Sequence, residues 1–353
     1  MKKSDTPDFD PSGPAANDGI FGLPYAEKQA KLVYVPVPWE ATTSYGGGTS
    51  DGPSAILEAS RQIDLYDGEV EKPYTAGLFM RGESGELRKW NVQAKRDAAK
   101  VIAALEKGKD APKPSLKLVN ALSEKVNAWV YGQTRGILKE KKIPALVGGD
   151  HAAPWGAIKA AAEAFPGLGV LHFDAHHDLR VAYEGFVWSH ASIFYNVLEK
   201  LPVKKLVQVG IRDFSQEERA YVRGQGKRCA VFYDSDLAKR RFAGRPFSRT
   251  ARDIAAELPK NVWVSFDIDG LDQRFCPSTG TPVPGGLDFA EAVHIIETIV
   301  RSGRRIVGFD LCEVSPGKDS EWDANVGARL LYKLSAWALA SQRLARILPS
   351  RHK

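Results

Sequence analysis

The chain has 353 residues, of which 43% are hydrophobic and 26% charged, with a formal net charge of +6. This length suits one large domain or two ordinary ones, and no stretch approaches the ~20 consecutive apolar residues of a membrane span. Lys and Arg are spread along the chain without interleaved aromatic residues, which argues against a nucleic-acid interface and indicates a solvated basic surface.

Residues 1–20 are rich in Asp, Pro, Gly and Ser and lack hydrophobic periodicity, which predicts a mobile N-terminal tail. The first residues are polar and lack the apolar core of a signal peptide. The three cysteines are widely spaced and form no CxxC pair, which indicates buried free thiols rather than a zinc or redox site. We therefore expect a cytoplasmic protein without a membrane partner.

Near-continuous apolar runs follow the tail and alternate with amphipathic stretches. Runs of this length are typical of parallel strands that helices cover on both faces. Seven such runs occur, at 31–37, 143–149, 169–174, 205–211, 229–233, 261–267 and 304–310. Helical spacing is clearest at 123–142 and 289–303, the second ending at Gly303 as helices often do. The alternation predicts an α/β fold with a three-layer αβα architecture around a mostly parallel sheet.

The segment from Phe79 to Lys117 departs from this alternation. Residues 95–110 predict a helix, and the proline-containing stretch at 111–115 predicts a loop. A separate domain would need a linker at each end, and neither end has the composition of one. We therefore predict a single domain over residues 21–353.

Polar side chains follow three predicted strands, at the sheet edge where parallel α/β proteins bind ligands. After the first of these strands, Gly148 and Gly149 permit a tight turn that delivers Asp150 and His151 just beyond the sheet. A lone histidine at such a place is more often structural. His151 therefore becomes a candidate ligand only in the company of the other two strand ends.

The second strand end carries Asp174, His176 and Asp178 on alternate positions, which lie on one face of an extended chain. Burying these charges without partners would be costly, and a first-row divalent metal would remove that cost. His172 lies deeper in the strand, where a structural or supporting role is expected. His177 points to the other face.

The third strand end places Asp267 and Asp269 two residues apart, with Asp272 three residues further on. An Asp-rich turn explains one such ending, but three endings on one sheet favour a shared site. Together they supply four carboxylates and two neutral imidazoles, whose charges two divalent cations would balance. Such a pair, roughly 3.5 to 4 Å apart, activates water at neutral pH. The candidate ligands are His151, Asp174, His176, Asp178, Asp267 and Asp269.

Four motifs occur in order along the chain: GGDH at 148–151, DAHHD at 174–178, SFDIDGLD with PSTGTPVPGG at 265–286, and DLCEVSP at 310–316. In this combination the chain resembles the ureohydrolase family, which includes arginases, agmatinases and guanidine-hydrolysing relatives. The resemblance implies a metal-dependent hydrolase of C–N bonds in linear amidines, with two divalent ions per chain, Mn²⁺ or Ni²⁺. It implies one ion held by His151, Asp174, Asp178 and Asp267, and another held by Asp174, His176, Asp267 and Asp269.

The resemblance also implies three catalytic roles. His190, in WSHAS, matches a histidine that transfers protons near the metals. Glu313, in DLCEVSP, matches a carboxylate that pairs with the substrate guanidinium. Asp269 would help to stabilise the tetrahedral intermediate. From the residues alone, His190 is a loop histidine, and Glu313 could instead form a structural salt bridge.

The loop at 179–189 bears on the choice of substrate. Arginases place polar residues there to hold the amino-acid head of arginine, whereas this loop offers Tyr183, Phe186 and Trp188. Such a lining disfavours arginine. It suits guanidine, an alkylguanidine or biguanide, agmatine or guanidinobutyrate, with urea or a substituted urea and an amine or ammonia as products.

Two further positions are candidate substrate contacts. Trp322 could stack on a guanidinium face or pack against the protein. The glycine-rich loop at 44–56 lacks the ending of a nucleotide-binding P-loop; its glycines would let the backbone approach the cleft, and Pro53 would start a helix. Thr43 or Ser44 would then contact the substrate.

Two alternatives stay open on the sequence. A related enzyme could act on a formimino or other amidine substrate, or a non-catalytic accessory subunit could keep the fold for assembly. The presence of all six candidate ligands argues against the second. The resemblance further implies a homo-oligomer, a trimer or hexamer, and a hetero-oligomer with a paralogous subunit is a further option.

Overall fold

The computed structural model describes residues 9–15, 17–43 and 46–349. Its strands, in chain order, are β1 (Leu32–Val37), β2 (Val70–Glu71), β3 (Leu78–Met80), β4 (Ile143–Gly148), β5 (Gly169–Phe173), β6 (Lys205–Val209), β7 (Cys229–Phe232), β8 (Asn261–Asp267), β9 (Arg305–Cys312) and β10 (Arg346–Ile347). Its helices are α1 (Gly52–Ser60), α2 (Gly85–Leu105), α3 (Lys113–Lys139), α4 (Trp155–Ala164), α5 (Ile193–Lys200), α6 (Gln216–Gly224), α7 (Asp234–Phe242), α8 (Phe247–Glu257), α9 (Phe289–Arg301) and α10 (Trp322–Ser341).

Eight of these strands form one parallel sheet in the order β3-β1-β4-β9-β8-β5-β6-β7. The short strands β2 and β10 form a separate antiparallel pair. All seven predicted strands are confirmed and lie in the large sheet. The sequence pattern does not predict β3, because three residues are too few to establish a hydrophobic period.

Two helices, rather than a helix and a loop, occupy most of the segment at 79–117. α2 begins at Gly85, well before the predicted start, and the Ser84 hydroxyl accepts from the Leu87 amide at 3.4 Å to cap it. α3 begins at Lys113, inside the predicted loop. Pro114 is compatible with this start because the first turn of a helix needs no backbone N–H donors.

Separate apolar layers cover the two faces of the sheet. Along β1, Val33 and Val35 join one layer while Leu32 and Tyr34 join the other, as the alternation of strand side chains requires. Residues of α2–α5 complete the first layer, and residues of α1 and α7–α10 complete the second. The predicted three-layer αβα architecture is confirmed.

The predicted N-terminal tail lies partly outside the described residues, at 1–8 and Ala16. Within the described part, the Phe9 ring meets Tyr25 and Tyr74 edge-on, with centroid distances of 6.3 and 5.8 Å. Mobility of the tail stays a prediction. In the part of the chain that the structure describes, no helix has both the length and the apolar composition to cross a bilayer.

The register of the central strands brings four carboxyl ends to one edge. Phe173 of β5 pairs with Phe266 of β8, and both Phe266 and Val147 of β4 pair with Leu311 of β9. The residues that follow these positions therefore leave the sheet side by side.

Candidate metal centre and substrate cavity

One buried group of side chains surrounds His151. Its Nδ1 atom lies 3.0 Å from Asp174 Oδ2, 3.2 Å from Asp178 Oδ2 and 3.4 Å from Asp267 Oδ2, and no side chain of the four is more than 6% exposed. His172 Nε2 also lies 2.7 Å from Asp174 Oδ2. Buried carboxylate and imidazole atoms at this spacing are able to hold a divalent ion.

A second group shares Asp174 with the first. His176 Nδ1 lies 3.3 Å from Asp174 Oδ1 and 3.2 Å from Asp269 Oδ2. Asp174 thus presents one oxygen to each group, as a carboxylate between two ions does. Asp269 Oδ2 is buried and, apart from this approach to His176 Nδ1, has no polar partner among the described residues, a deficit that a cation would correct. All six predicted ligand side chains lie in these two adjoining groups.

Tight turns aim two of the carboxylates. Asp174 Oδ1 accepts from the His176 amide at 2.6 Å, and Asp267 Oδ1 accepts from the Asp269 amide at 2.8 Å. In both residues the other oxygen, Oδ2, faces His151. The two explanations of these strand ends, an Asp-rich turn and a metal site, are compatible because each carboxylate has two oxygens.

A left-handed backbone conformation orients two further carboxylates. Asp178 and Glu313 have φ values of 55° and 62°, which cost about 1–3 kcal/mol each in residues other than glycine. The Asp178 carbonyl accepts from the Phe194 amide at 3.0 Å, and the Glu313 amide donates to the Gly149 carbonyl at 2.8 Å. These bonds hold both side chains at the edge of the sheet.

Crowding of buried carboxylates shifts the pKa values of the two groups. Burial and the nearby charge of Asp174 raise the pKa of Asp178 to about 7. Burial and the charges of Asp269 and Asp174 raise the pKa of Asp267 well above its ordinary value. Burial opposes protonation of His176, but Asp269 and Asp174 outweigh it and raise the pKa of His176 to about 12. The groups therefore favour bound positive charge, which divalent ions can supply.

A relay behind His151 sets which of its nitrogens is free. Ser265 Oγ donates to Asp310 Oδ1 at 2.8 Å, so the same hydroxyl accepts from His151 Nε2 at 3.0 Å. Trp263 Nε1 donates to the other Asp310 oxygen at 2.5 Å. His151 Nε2 keeps its proton in this arrangement, so Nδ1, which faces the carboxylates, is the nitrogen that would present a lone pair to a cation. Ser265 and Asp310 begin two of the quoted motifs, but the sequence reasoning gave them no role, although an Asp inside the buried strand β9 is a signal for one.

A cavity of about 210 Å³ opens onto both groups. Its wall includes Glu313, His190 and Tyr183, which the sequence reasoning singled out. Arg180 in the wall continues the alternating series Asp174, His176, Asp178, a signal that was available in the sequence. Besides the candidate ligands His151, His176, Asp178 and Asp267, the wall also includes residues for which the sequence predicted no role: Ala191, Asp213, Phe214, Glu218 and Thr281.

Glu313 and His190 both line the cavity, and their surroundings shift their pKa values in opposite directions. Glu313 Oε1 accepts from the His151 amide at 2.8 Å. Burial and the charge of Asp267 raise the pKa of Glu313 well above its ordinary value, so a cationic partner would be favourable. His190 Nδ1 lies 3.3 Å from Thr42 Oγ1. Burial and the neighbouring charged imidazoles lower the pKa of His190 to about 4, which leaves its ring neutral near pH 7.

The sequence profile of the arginase family matches residues 30–336. The chain belongs to the arginase family. Members of this family are metal-dependent ureohydrolases, which cut C–N bonds of amidino groups at a binuclear divalent metal centre, usually of Mn²⁺. The chain is an enzyme of this class.

Relatives and solved structures agree with this placement. An N(1)-aminopropylagmatine ureohydrolase of Thermus thermophilus is 32% identical over 301 residues, covering 84% of this chain and 87% of the relative. An agmatinase of Bacillus subtilis is 30% identical over 314 residues, covering 88% and 92%. The crystal structure of an agmatine ureohydrolase of Thermoplasma volcanium matches with a TM-score of 0.70 and 22% identity, over 93% of this chain and 97% of that one. The structural match supports the fold.

In this arginase-family chain, two of the three loop aromatics lie outside the cavity wall. Trp188 packs against Trp155, with ring centroids 4.8 Å apart, and the Lys200 ammonium lies 4.1 Å from its ring. Phe186 is fully buried in a separate apolar cluster. The cause is a tight turn in which the Tyr183 and Phe186 backbones bond to each other, at 2.8 and 3.2 Å. The turn leaves Tyr183 as the one aromatic of the three in the described wall.

Trp322 and Thr43 also lie outside the cavity wall. Trp322 is 46% exposed, and its Nε1 donates to the Arg274 carbonyl at 2.8 Å. The Thr43 hydroxyl donates to Glu40 Oε1 at 3.4 Å. Ser44 is outside the described residues. Substrate contacts at Trp188, Trp322 and Thr43 stay predictions.

A buried carboxylate that no motif indicates holds the glycine-rich loop. Glu40 is fully buried and accepts from the amides of Gly48 and Ser50, the shortest bond being 2.9 Å, and from Lys95 Nζ at 2.9 Å. Pro53 lies in the first turn of α1, as predicted. The loop is therefore tied to α2 through Lys95.

Proposed function

We propose that this chain hydrolyses a C–N bond of a small linear guanidino compound, releasing urea or a substituted urea and an amine or ammonia. One observation carries the proposal: two carboxylate–imidazole groups share Asp174 and open, beside the buried carboxylate of Glu313, onto one small cavity. A guanidinium is planar and cationic, and it pairs well with a carboxylate.

The donor set fits two divalent ions. The four carboxylates balance the charge of two divalent ions, two neutral imidazoles add nitrogen ligands, and a cation would compensate the buried Asp269 Oδ2, which His176 Nδ1 alone approaches among the described residues. When bound, the ions would activate water and neutralise charge that develops on the substrate. Mn²⁺ and Ni²⁺ are both compatible with these ligands. The residues proposed to hold them are His151, Asp174, His176, Asp178, Asp267 and Asp269.

The chain's own residues would handle substrate and protons. Glu313 would bind the guanidinium and orient its carbon toward the two groups. His190 would move a proton to the leaving nitrogen through Nε2, because Nδ1 lies against the hydroxyls of Thr42 and Ser189 at 3.3 and 3.4 Å. Asp269 would stabilise the tetrahedral intermediate through the charge it places beside the reacting centre.

The candidate substrates are guanidine, alkylguanidines or biguanides, agmatine and guanidinobutyrate. The names of the relatives add N(1)-aminopropylagmatine. We further propose a single domain over residues 21–353, a cytoplasmic location and a homo-oligomer, trimeric or hexameric, with pairing to a paralogue as an option.

A substrate panel with defined metals tests the proposal. The full-length protein is stripped of metal with a chelator, reloaded with Mn²⁺ or Ni²⁺, and assayed for urea and ammonia from each candidate and from arginine. We expect activity that depends on added metal and a loss of kcat/KM in Glu313→Gln of more than about 100-fold, since removing one positioned charge or donor typically costs 10²–10³. Hydrolysis that survives complete metal removal would refute the mechanism. Metal binding without hydrolysis of any amidine would instead support the accessory-subunit or other-substrate alternatives.

A further inference from the structure

A second buried relay reaches Asp174 through His172. It starts at Gln208, which pairs in register with His172 on the neighbouring strand. Gln208 Oε1 lies 2.7 Å from His177 Nδ1, and Gln208 Nε2 lies 2.9 Å from both His172 Nδ1 and the His177 carbonyl oxygen. Gln208, His172 and His177 are all fully buried. Every polar atom in this relay must therefore find its partner inside the protein.

The carbonyl of His177 decides the orientation of the Gln208 amide. A carbonyl oxygen can only accept, so the amide atom beside it must be the NH₂ group. The other end of the amide, Oε1, can only accept, so His177 Nδ1 carries a proton. The NH₂ group can only donate, so His172 Nδ1 carries none.

The protonation state of the remaining nitrogen of His172 follows from the same assignment of donors and acceptors. An imidazole without a proton on Nδ1 is neutral and carries its proton on Nε2. That atom lies 2.7 Å from Asp174 Oδ2 and donates to it. The His172 ring also packs against Phe194, with centroids 3.9 Å apart and ring planes tilted by 34°, which restricts its rotation.

We propose that Gln208 is a positioning residue that fixes His172 as the Nε2-protonated tautomer, so that His172 donates to Asp174 and does not bind a metal ion. The donated proton orients the shared carboxylate without neutralising its charge. The effect on metal affinity rests on the proposed function, whereas the tautomer of His172 does not.

Nitrogen NMR of the histidines tests the tautomer directly. The full-length chain is labelled with ¹⁵N-histidine and treated with a chelator, because Mn²⁺ would broaden the signals. His172 is assigned by the spin system that disappears in His172→Asn, and protonated and unprotonated nitrogens are distinguished by their shifts. We expect a protonated Nε2 and an unprotonated Nδ1 at neutral pH. A proton on His172 Nδ1 would overturn the proposal.

The variant Gln208→Glu tests whether Gln208 is what fixes the tautomer of His172. A carboxylate of the same shape cannot donate to His172 Nδ1, so the proton should move to that nitrogen, and Mn²⁺ affinity measured by calorimetry should fall by about 10- to 100-fold, as is typical when a partner of a metal ligand is lost. Gln93→Glu makes the same charge change at an exposed position of α2 and should leave both readouts unchanged. An unshifted His172 spectrum in Gln208→Glu would overturn the proposal. A chain that binds no Mn²⁺, but whose His172 spectrum behaves as expected, would contradict only the proposed function.

Discussion

His151 and His172 are neighbours, with ring centroids 5.1 Å apart, and one nitrogen of each lies within 3.0 Å of Asp174 Oδ2. Their other nitrogens meet opposite partners. His151 faces Ser265, a hydroxyl whose proton is already given to a carboxylate, whereas His172 faces the donor end of Gln208. The first arrangement frees a lone pair for a cation, and the second supplies a proton to a carboxylate. The partner on the far nitrogen, and not the imidazole itself, decides which role each ring takes.

Replacing each imidazole by Asn tests this contrast most strongly. We expect His151→Asn to lose one metal ion per chain and more than about 100-fold in kcat/KM, because even outer partners of a ligand are typically worth 10- to 100-fold. His172→Asn should keep both ions and bind them about 10- to 100-fold more weakly. Metal content after dialysis and rates of urea release give the answer; equal loss of metal from both variants would contradict the contrast.

The variant Asp310→Asn tests only the relay behind His151. An amide can donate to Ser265, which would let the hydroxyl donate to His151 Nε2 and move the imidazole proton to Nδ1. We expect Mn²⁺ affinity to fall by about 10- to 100-fold in calorimetry. Asp97→Asn, a similar change at a buried carboxylate between α2 and α3, is the matched control. An affinity equal to that of the control would show that the relay does not act on the metal.

Metal binding should release protons from the histidines that bind the metal, but not from His172. Against the opposing effect of burial, Asp174, Asp178 and Asp267 raise the pKa of His151 well above its ordinary value. The pKa of His176 is raised to about 12, so both imidazoles hold a proton at neutral pH that must leave before Nδ1 binds a cation. His172 is already neutral. The bound state then carries fewer protons, so affinity rises with pH, by about tenfold per unit for each proton released. Calorimetry in buffers of different ionisation enthalpy counts these protons, and a count of zero between pH 6 and 8 would be inconsistent with the raised pKa.

The smallest effect is expected at the cavity wall, away from both imidazoles. Arg180→Gln removes a positive charge from a side chain that is 41% exposed. The ratio of kcat/KM for agmatine to that for guanidinobutyrate should rise about two- to fivefold, since exposed charge pairs contribute roughly 0.2–1 kcal/mol. Arg249→Gln, an exposed change outside the wall, should leave the ratio unaltered. A fall in the ratio for Arg180→Gln would contradict the expected sign.

The ligand candidates could be predicted because their signal is local. Asp174, His176 and Asp178 alternate along one strand end, and charges at the end of an apolar run need a partner. Gln208 and Ser265 gave no such signal, because each becomes a partner of a histidine only through pairing between strands distant in sequence.

The fold was predictable to a similar degree. Long apolar runs identify strands by themselves, whereas β3 is too short to do so. The aromatic lining was only partly predictable, because the turn between Tyr183 and Phe186 reverses the chain and sends neighbouring rings to different sides.

The cavity wall combines two kinds of structure. The groups around Asp174 stand on the rigid ends of the central strands, while Tyr183, Arg180 and Phe214 come from connecting segments. Loop sequences tolerate replacement far better than a buried parallel sheet does. Redesign for another guanidino compound can therefore begin in the connecting segments and leave the groups around Asp174, at the floor of the cavity, unchanged.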